Sequence, residues 1–474
     1  MKFEYAIIGG GVVGTAIFNK LTRLGKSCVL LEKESDVGFG SSKANSGIVH
    51  TGFDCTPGTL KAKLNVRGAQ LFPEIAKRLQ VKLVNNGHLV VGNDIEHLKN
   101  LFNKGVQNGV QGLEIINSEK LHALEPRLSE DIKHALYAPT GCVVSSYELS
   151  VAFAEEAVLN GAVVKLRYEI MEVSYKNGMY CIASADECVY AKAIINASGS
   201  GYNDVAKLIG SETYPLTFRR GEYYILDKNH KDICSHTIFP LPSKDSKGIL
   251  ITSTTSGNIL VGPTSYESDT STKTSQSGLS EVRTKALAEM PSLPLRGAIR
   301  VFSGVRNISG NDFIIEKSRS KECVINVAGI CSPGLSSAPA IAEMVASLVG
   351  LDPNNEVKRL KLLPRKVVMA DLSLEEQNAI IKKNPNYGKV ICKCENISLG
   401  EIIDAINSPL PACTVDAVKR RTRAGMGRCQ GGFCIFSVME QLAKFNRIQF
   451  DKVEKDAKGS TIIHSDIKPD GGMA

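Results

Sequence analysis

Two groups of residues carry the strongest chemical signals in the chain. Near the start stand Gly9-Gly10-Gly11-Val12-Val13-Gly14, and near the end stand four cysteines, Cys392, Cys394, Cys429 and Cys434. The first group matches G-x-G-x-x-G directly after an apolar run and before a helical pattern. In that context Gly9 permits the tight turn, Gly11 lets the backbone approach a pyrophosphate, and Gly14 allows close helix–strand packing. The helix N-terminus then favours the phosphate charge. Glu32 follows 23 positions after Gly9, at the end of the next apolar run, with Lys33 beside it. A carboxylate there suits ribose hydroxyls and points to FAD or NAD rather than NADP.

Two later segments decide between FAD and NAD. Asn196-Ala197-Ser198-Gly199 ends another apolar run, and Gly329-Ile330-Cys331-Ser332-Pro333-Gly334-Leu335-Ser336-Ser337 opens a helix far along the chain. A flavin gathers negative charge at N1–C2=O on reduction, and a second helix start offsets that charge. A nicotinamide domain needs no such late loop. The residues therefore predict FAD, contacted by Gly9, Gly11, Val13, Gly14, Glu32, Lys33, Ala197, Gly199, Gly329, Pro333, Gly334, Leu335 and Ser336.

The cysteines read as C-x-C and C-x4-C, with 34 residues between the pairs. Four thiolates in two pairs suit zinc or a 2Fe-2S cluster, and the one-residue gap in Cys392-Lys393-Cys394 is less typical of zinc. Cys413, between the pairs, reads as a packing residue. The cations between 419 and 428 read as offsetting the charge of four thiolates or docking an acidic partner.

The elements that must position these groups follow from apolar periodicity. Residues 3–8, 12–24 and 28–31 read as strand, helix and strand, a βαβ unit closed at Gly25. A helix is predicted over 148–160, with strands over 162–166, 168–174 and 193–196. From 213 to 264 the pattern becomes β-rich, with strands at 222–226, 248–252 and 258–261. That predicts an antiparallel substrate-domain sheet. A strand over 323–328 and a helix over 338–348 follow. The predicted division is 1–365 for the flavin part, with an interleaved substrate domain at roughly 80–145 and 213–310. A linker at 366–386, a cysteine module at 387–445 and a polar tail at 446–474 complete it.

Composition sets the class. The 474 residues are 43% hydrophobic and 22% charged, too long for one typical core and too mixed for a disordered or fibrous chain. Thirteen cysteines, an odd number, read as core residues and ligands in a reducing compartment. No run of roughly 18 apolar residues exists, and the chain enters a strand at once without a cleavable signal, so a cytoplasmic protein is expected. The net charge of +8 is diffuse and fits an anionic small substrate; no nucleic-acid partner is predicted.

The segment from Ser41 to Gly52, Ser-Ser-Lys-Ala-Asn-Ser-Gly-Ile-Val-His-Thr-Gly, resembles the flavin-proximal loop of the D-amino-acid oxidase-like superfamily. It is most similar to the branch of FAD-dependent glycerol-3-phosphate oxidases and dehydrogenases. Arg219-Arg220-Gly221-Glu222-Tyr223, Leu260-Val261-Gly262-Pro263-Thr264, Asn311-Asp312-Phe313-Ile314-Ile315 and Ser332-Pro333-Gly334-Leu335 share that similarity, which covers roughly residues 1–350. The resemblance implies that Ser41, Ser42, Asn45 and Ser46 lie at the flavin. It implies that His50, whose pKa suits the task, is the base for an alcohol proton. It also implies that Arg306, in Phe302-Ser303-Gly304-Val305-Arg306, binds a phosphate or carboxylate, with Lys247 near the substrate. Ser46 and Thr51 are candidates for flavin or substrate bonds. The same loop is similar in L-2-hydroxyglutarate oxidases.

Residues 390–434 resemble a bacterioferritin-associated-ferredoxin-like domain, which implies a 2Fe-2S cluster on Cys392, Cys394, Cys429 and Cys434. Short oxidases lack this module, whereas longer anaerobic glycerol-3-phosphate dehydrogenase subunits carry one. The resemblance thus implies an α/β (α+β overall) fold: a Rossmann-type FAD-binding domain, an antiparallel-sheet substrate domain and a small helical iron-sulfur domain. The implied activity is oxidation of sn-glycerol 3-phosphate to dihydroxyacetone phosphate, with electrons passing through the cluster to an external acceptor. That acceptor would be a protein or a quinone-linked partner, with peripheral association at the inner membrane face. The alternatives are an FAD-dependent oxidation of L-2-hydroxyglutarate, a related 2-hydroxy acid or an amine, or an electron-transfer subunit without its own substrate.

Overall fold

The first apolar run folds as the strand Lys2–Ile8, and the glycine turn delivers the chain into the helix Val12–Arg23. The next strand, Cys28–Leu31, lies parallel to the first, with Tyr5 opposite Cys28 and Ile8 opposite Leu31. Parallel neighbours need a crossover, which the helix provides. In the computed structural model, which describes residues 1–241 and 248–463, this unit is the middle of a larger sheet. The long strand Cys188–Asn196 runs parallel along the other side of Lys2–Ile8, and its last residues pair with Val324–Ala328. Val163–Lys165 adds beyond Cys28–Leu31, and the hairpin of Glu172–Lys176 and Met179–Ala183 extends the opposite side.

Ala6, Ile7, Val29 and Leu30 have no exposed surface, because helices cover the sheet. Val12–Arg23 packs against both Ser146–Leu159 and Gly334–Leu348, and a buried carboxylate ties Ser146–Leu159 to Val12–Arg23 and to a fourth helix. Glu156 accepts from Asn19 Nδ2 at 2.9 Å and pairs with Arg23 at 3.3 Å and with Arg78 on the helix Leu60–Leu79. Removing one partner of such a buried group costs about 3–5 kcal/mol, since the charge left behind has no water.

The second sheet draws nine strands from two separated stretches of chain. His88–Gly92, Glu114–Ile116 and His134–Ala138 come from the first, and the strands from Thr217–Leu226 to Ala298–Ile308 come from the second. The expectation of an antiparallel sheet is corrected at one seam. Thr237–Pro240 runs parallel to His88–Gly92; the two come from the separate stretches of chain, so no hairpin turn joins them and imposes an antiparallel pairing.

Other local expectations also change. The strand expected over 168–174 begins only at Glu172. Arg167 turns with a φ of 58°, and Tyr168 is buried with its hydroxyl donating to Ile182 O at 2.6 Å. The late helix starts at Gly334 rather than 338, so half of the expected loop is its first turn. Within the expected linker, Leu374–Lys383 is a helix capped by Ser373 and Glu376; its charged pattern reflects the absence of any buried face. The expected tail contains a turn at Phe450–Lys452 and a Glu454–Thr461 bridge, and residues 464–474 lie outside the described residues. Cys181 and Cys188 form a disulfide between neighbouring strands, where only core or ligand cysteines were expected.

Contacts divide the chain into two units, one of residues 1–31 and 37–363 and one of residues 32–36 and 364 onward. The second contains the hairpin Val390–Cys392 with Ile397–Ser398 and the helices Leu399–Ile406, Val415–Thr422 and Ile435–Asn446. Ile402, Val418, Met439 and Leu442 form its core. Among the described residues, no helix is long and apolar enough to cross a membrane.

Candidate active site

The glycine turn has the space that each of its positions requires. Gly9 has a φ of 103°, and a Cβ there would fall 2.6 Å from Ala197 O. A Cβ on Gly14 would fall 1.9 Å from Gly9 O, so only glycine lets the helix meet the strand. Gly11 differs: a Cβ would meet nothing but Ser42 Oγ, at 3.2 Å. It is therefore the point at which a ligand can approach the backbone, as a pyrophosphate would. Val13 is half-buried beside it, and Val12 N–H donates to Ser42 Oγ at 2.9 Å. Ala197 N–H donates to Ile8 O at 3.0 Å, and Gly199 begins the turn Gly199–Gly201 with open space around it. Glu32 is buried and accepts from Glu34 N–H at 2.9 Å, whereas Lys33 is exposed.

The segment from Ser41 to His50 links the distant parts of the first unit. Ser41 Oγ donates to Val305 O, and a Cβ on Gly304 would fall 1.9 Å from Ala44 O. Asn45 spends its amide inside the loop, donating to Ser41 O, Ser42 O and Ser146 Oγ at 2.9 Å each. Ser46 Oγ lies 3.3 Å from the Tyr223 hydroxyl. Burial pushes that hydroxyl up in pKa, and Arg306 followed by Ser46 partly offsets the rise. His50 N–H donates to Ser336 Oγ at 2.7 Å, which ties the loop to the first turn of Gly334–Leu348. Gly329 packs on Ser309, Pro333 stands at the helix N-cap after a cis bond, and Leu335 is half-buried. The structure thus joins four sequence-distant segments, at 9–14, 41–50, 304–306 and 333–336. Lys247 lies outside the described residues.

Around the His50 ring stand Phe239, with centroids 5.6 Å apart, and His88, 6.1 Å away. His88 is fully buried, neither ring nitrogen has a hydrogen-bond partner among the described residues, and Thr51 Oγ1 is likewise unpartnered. Burial, with His50 adding to it, pushes the His88 ring down to about 3. Sequence reasoning missed His88 and Phe239. They come from two strands joined only at the parallel seam, so no local spacing connects them to His50.

In the second unit, the Cys392 thiol lies beside that of Cys434, and the Cys394 thiol beside that of Cys429. The neighbouring Cys434 thiol, assisted by the backbone of Gly425 and Glu395, draws Cys392 down to about 6, and Cys434 is pushed up in return. One thiol of each pair, Cys392 and Cys429, is thus favoured as the thiolate that a metal ligand must be, and its partner holds the proton. A Cβ on Gly427 would fall 2.4 Å from Cys394 Cβ, so glycine is what lets the two loops close. Among the described residues, no three or more His, Cys, Asp or Glu side chains gather as a site for one ion. The four thiols stand as two pairs, the division a two-iron cluster uses.

Two expectations are corrected here. Cys413 is exposed rather than packed. The cations between 419 and 428 are mostly internal partners rather than a docking face. Arg420 and Arg421 are buried on Asp36, Lys419 pairs with Asp416 at 3.1 Å, and Arg423 pairs with Glu395 at 2.9 Å. Arg428 is exposed.

Comparison with known proteins adds the family. Residues 4–348 match the model of the FAD dependent oxidoreductase family, and residues 390–444 match that of the BFD-like 2Fe-2S binding domain. A glycerol 3-phosphate dehydrogenase of Caloramator mitchellensis is 40% identical over 475 residues, covering 98% of this chain and 99% of that protein. An L-2-hydroxyglutarate dehydrogenase of Caenorhabditis briggsae is 28% identical, covering 73% of this chain and 93% of its own length. The dithionite-reduced, FAD-bound L-alpha-glycerophosphate oxidase of Mycoplasma pneumoniae superposes with a TM-score of 0.73 at 27% identity, over 77% of this chain and all of that one. With its glycine cradle, its joined loops and its paired thiols accounted for, the chain belongs to the FAD dependent oxidoreductase family, as a flavoenzyme that also carries a 2Fe-2S domain.

Proposed function

We propose that this chain oxidises sn-glycerol 3-phosphate to dihydroxyacetone phosphate and passes the electrons, by way of its 2Fe-2S domain, to an external acceptor. The observation that supports this reading is the 40% identity with a glycerol 3-phosphate dehydrogenase along 98% of the chain, cysteine module included. Gly9, Gly11, Gly14 and Ser42, with the turn at Gly334 to Ser336, hold FAD in this reading, and Glu32 takes a ribose. The bound flavin supplies the two-electron acceptor. His50 takes the C2 hydroxyl proton as the carbon loses its hydrogen with the electron pair, leaving a ketone. Its backbone N–H on Ser336 keeps it in place. Arg306 holds the anionic end of the substrate, and Lys247 assists. Cys392, Cys394, Cys429 and Cys434 hold the cluster.

The division of labour follows the proposed domains, with 1–365 for substrate and flavin and 387–445 for the cluster. The 28% identity with an L-2-hydroxyglutarate dehydrogenase supports a second reading, in which a carboxylate replaces the phosphate. Anaerobic bleaching of the flavin in the holoenzyme distinguishes them. Glycerol 3-phosphate should bleach it, whereas L-2-hydroxyglutarate and glycine should not. Bleaching by L-2-hydroxyglutarate alone would transfer the assignment to the second reading, and no bleaching by any of them would leave an electron-transfer subunit.

A further inference from the structure

The strands Thr217–Leu226 and Ala298–Ile308 pair antiparallel over most of their lengths, with Arg219 opposite Arg306, Gly221 opposite Gly304 and Tyr223 opposite Phe302. Side chains alternate along a strand, so these six positions share one face. The other face carries Arg220 and Glu222, which pair at 3.4 Å, and Glu222 also caps the helix Gln276–Glu289 through Ser275 N–H and Oγ at 2.9 Å each. The adjacent arginines of Arg219-Arg220 therefore do different work. Arg220 is neutralised on the helix side. Arg219 stands on the face of the Ser41–Ser46 loop, where Gly304 meets Ala44 and Tyr223 meets Ser46.

Like charges directly opposite in a sheet repel. Here two half-buried guanidiniums face one another and converge on one serine. Arg219 donates from Nε to Ser265 Oγ at 2.9 Å and from Nη2 to Ser265 O at 2.7 Å, and Arg306 donates from Nη2 to the same Oγ at 3.1 Å. Among the described residues neither makes an ion pair with a carboxylate, although the exposed Glu267 stands opposite Arg219 on the strand Tyr266–Ser268 at its other side. Arg23, Arg67, Arg78, Arg420, Arg421 and Arg423 all make one. With no ion pair formed to either, the shared hydroxyl leaves the two guanidiniums incompletely balanced, and most of their N–H donors remain for a ligand. A monoanionic carboxylate is satisfied by one guanidinium fork, whereas two forks side by side suit two charges spread over three oxygens.

We infer that Arg219 joins Arg306 in a two-arginine clamp, bridged by Ser265, that binds a dianionic phosphate monoester and selects it over a carboxylate. The inference rests on the proposed reading of the same site, whose substrate class it narrows. The test is calorimetric titration of the oxidised holoenzyme with inorganic phosphate and, separately, with acetate, so that binding is read without turnover. The parent protein should bind phosphate at least about 10-fold more tightly than acetate. Arg219→Gln should weaken phosphate by about 10- to 100-fold, the span of a charge-assisted bidentate contact, and acetate by no more than about 3-fold. Arg219→Lys, which keeps the charge without the fork and covers the case in which the glutamine variant does not fold, should show an intermediate loss. Unchanged phosphate affinity in the folded variants, equal weakening of both probes, or equal affinity of the parent for both would overturn the clamp. Bleaching by glycerol 3-phosphate in parallel keeps the two ideas apart. Phosphate selectivity that depends on Arg219 without bleaching would sink the proposed activity and leave the clamp. Bleaching with phosphate binding indifferent to Arg219 would do the reverse.

Discussion

His50 is fastened by its backbone and surrounded by rings, so its imidazole can be removed without unmaking the loop that carries it. His50→Ala should therefore retain FAD while anaerobic bleaching by glycerol 3-phosphate slows about 10²- to 10⁴-fold, the span of a lost general base. Bleaching at the parent rate would remove His50 from the reaction. The neighbouring His88 makes a different prediction, on stability. Its ring is held neutral by burial, with a pKa of about 3 against an ordinary 6.5. Below pH 6.5 the unfolded chain takes up a proton that the folded one refuses. The stability that this group confers is full above pH 6.5 and is lost as the pH falls towards 3, at about 1.4 kcal/mol per pH unit. His88→Leu should flatten the fall in urea midpoint of the holoenzyme between pH 6.5 and 5. An unaltered slope would mean that the folded protein protonates His88 after all.

Between residue and molecule, what positions the site is the crossing of a loop over a strand pair. Gly304 and Gly221 sit opposite one another; the absence of a side chain on Gly304 lets the chain from Ser41 to Ser46 lie against the sheet, and its absence on Gly221 admits Pro263 and Thr264. A Cβ on Gly304 would enter the Ala44 carbonyl at 1.9 Å, a backbone atom that cannot swing aside. Gly304→Ala should lower holoenzyme stability by about 1–3 kcal/mol, as overpacking does, and release FAD more readily because Ser42 and Ser46 are displaced with the loop. Melting temperature and flavin content of the purified variant measure both. If neither moves, the loop tolerates a shift and does not fix the flavin side of the site. The same crossing explains why Arg219-Arg220 cannot be read as one basic patch, since strand alternation sends them to opposite faces.

At the scale of the molecule, the two units have separate cores, one around the parallel sheet, with the proposed flavin residues other than Glu32 and Lys33, and one around Ile402, Val418 and Met439, with the four cysteines. Their chemistry should accordingly be separable. Replacing Cys429 and Cys434 together with serine removes one thiol from each of the two pairs, and hydroxyls are poor ligands for an iron-sulfur cluster. Iron content should fall, bleaching of FAD by glycerol 3-phosphate should stay near the parent rate, and turnover with cell extract as acceptor should drop. Full turnover after iron loss would make the module structural or regulatory. Loss of bleaching would show that the two units depend on one another to fold.

The sequence alone determined the features that are local in the chain. The glycine turn, the strand–helix–strand order and the C-x-C and C-x4-C spacings are short-range patterns, because backbone geometry and ligand spacing act over a few residues. The family resemblance was legible for the same reason, in runs such as Ser41–Gly52. Tertiary structure decided which of these runs meet. His50 on Ser336, Arg219 opposite Arg306 and His88 beside His50 are contacts across 286, 87 and 38 positions, set by strand register and by crossovers between sheets. Charge was the least legible feature: the cations between 419 and 428 read in sequence as offsetting four thiolates or docking an acidic partner, yet Arg420 and Arg421 are buried on Asp36, 384 and 385 positions away. A charge announces itself in a sequence, but its partner is chosen by the fold, because only a folded chain can bring a distant carboxylate within hydrogen-bonding reach.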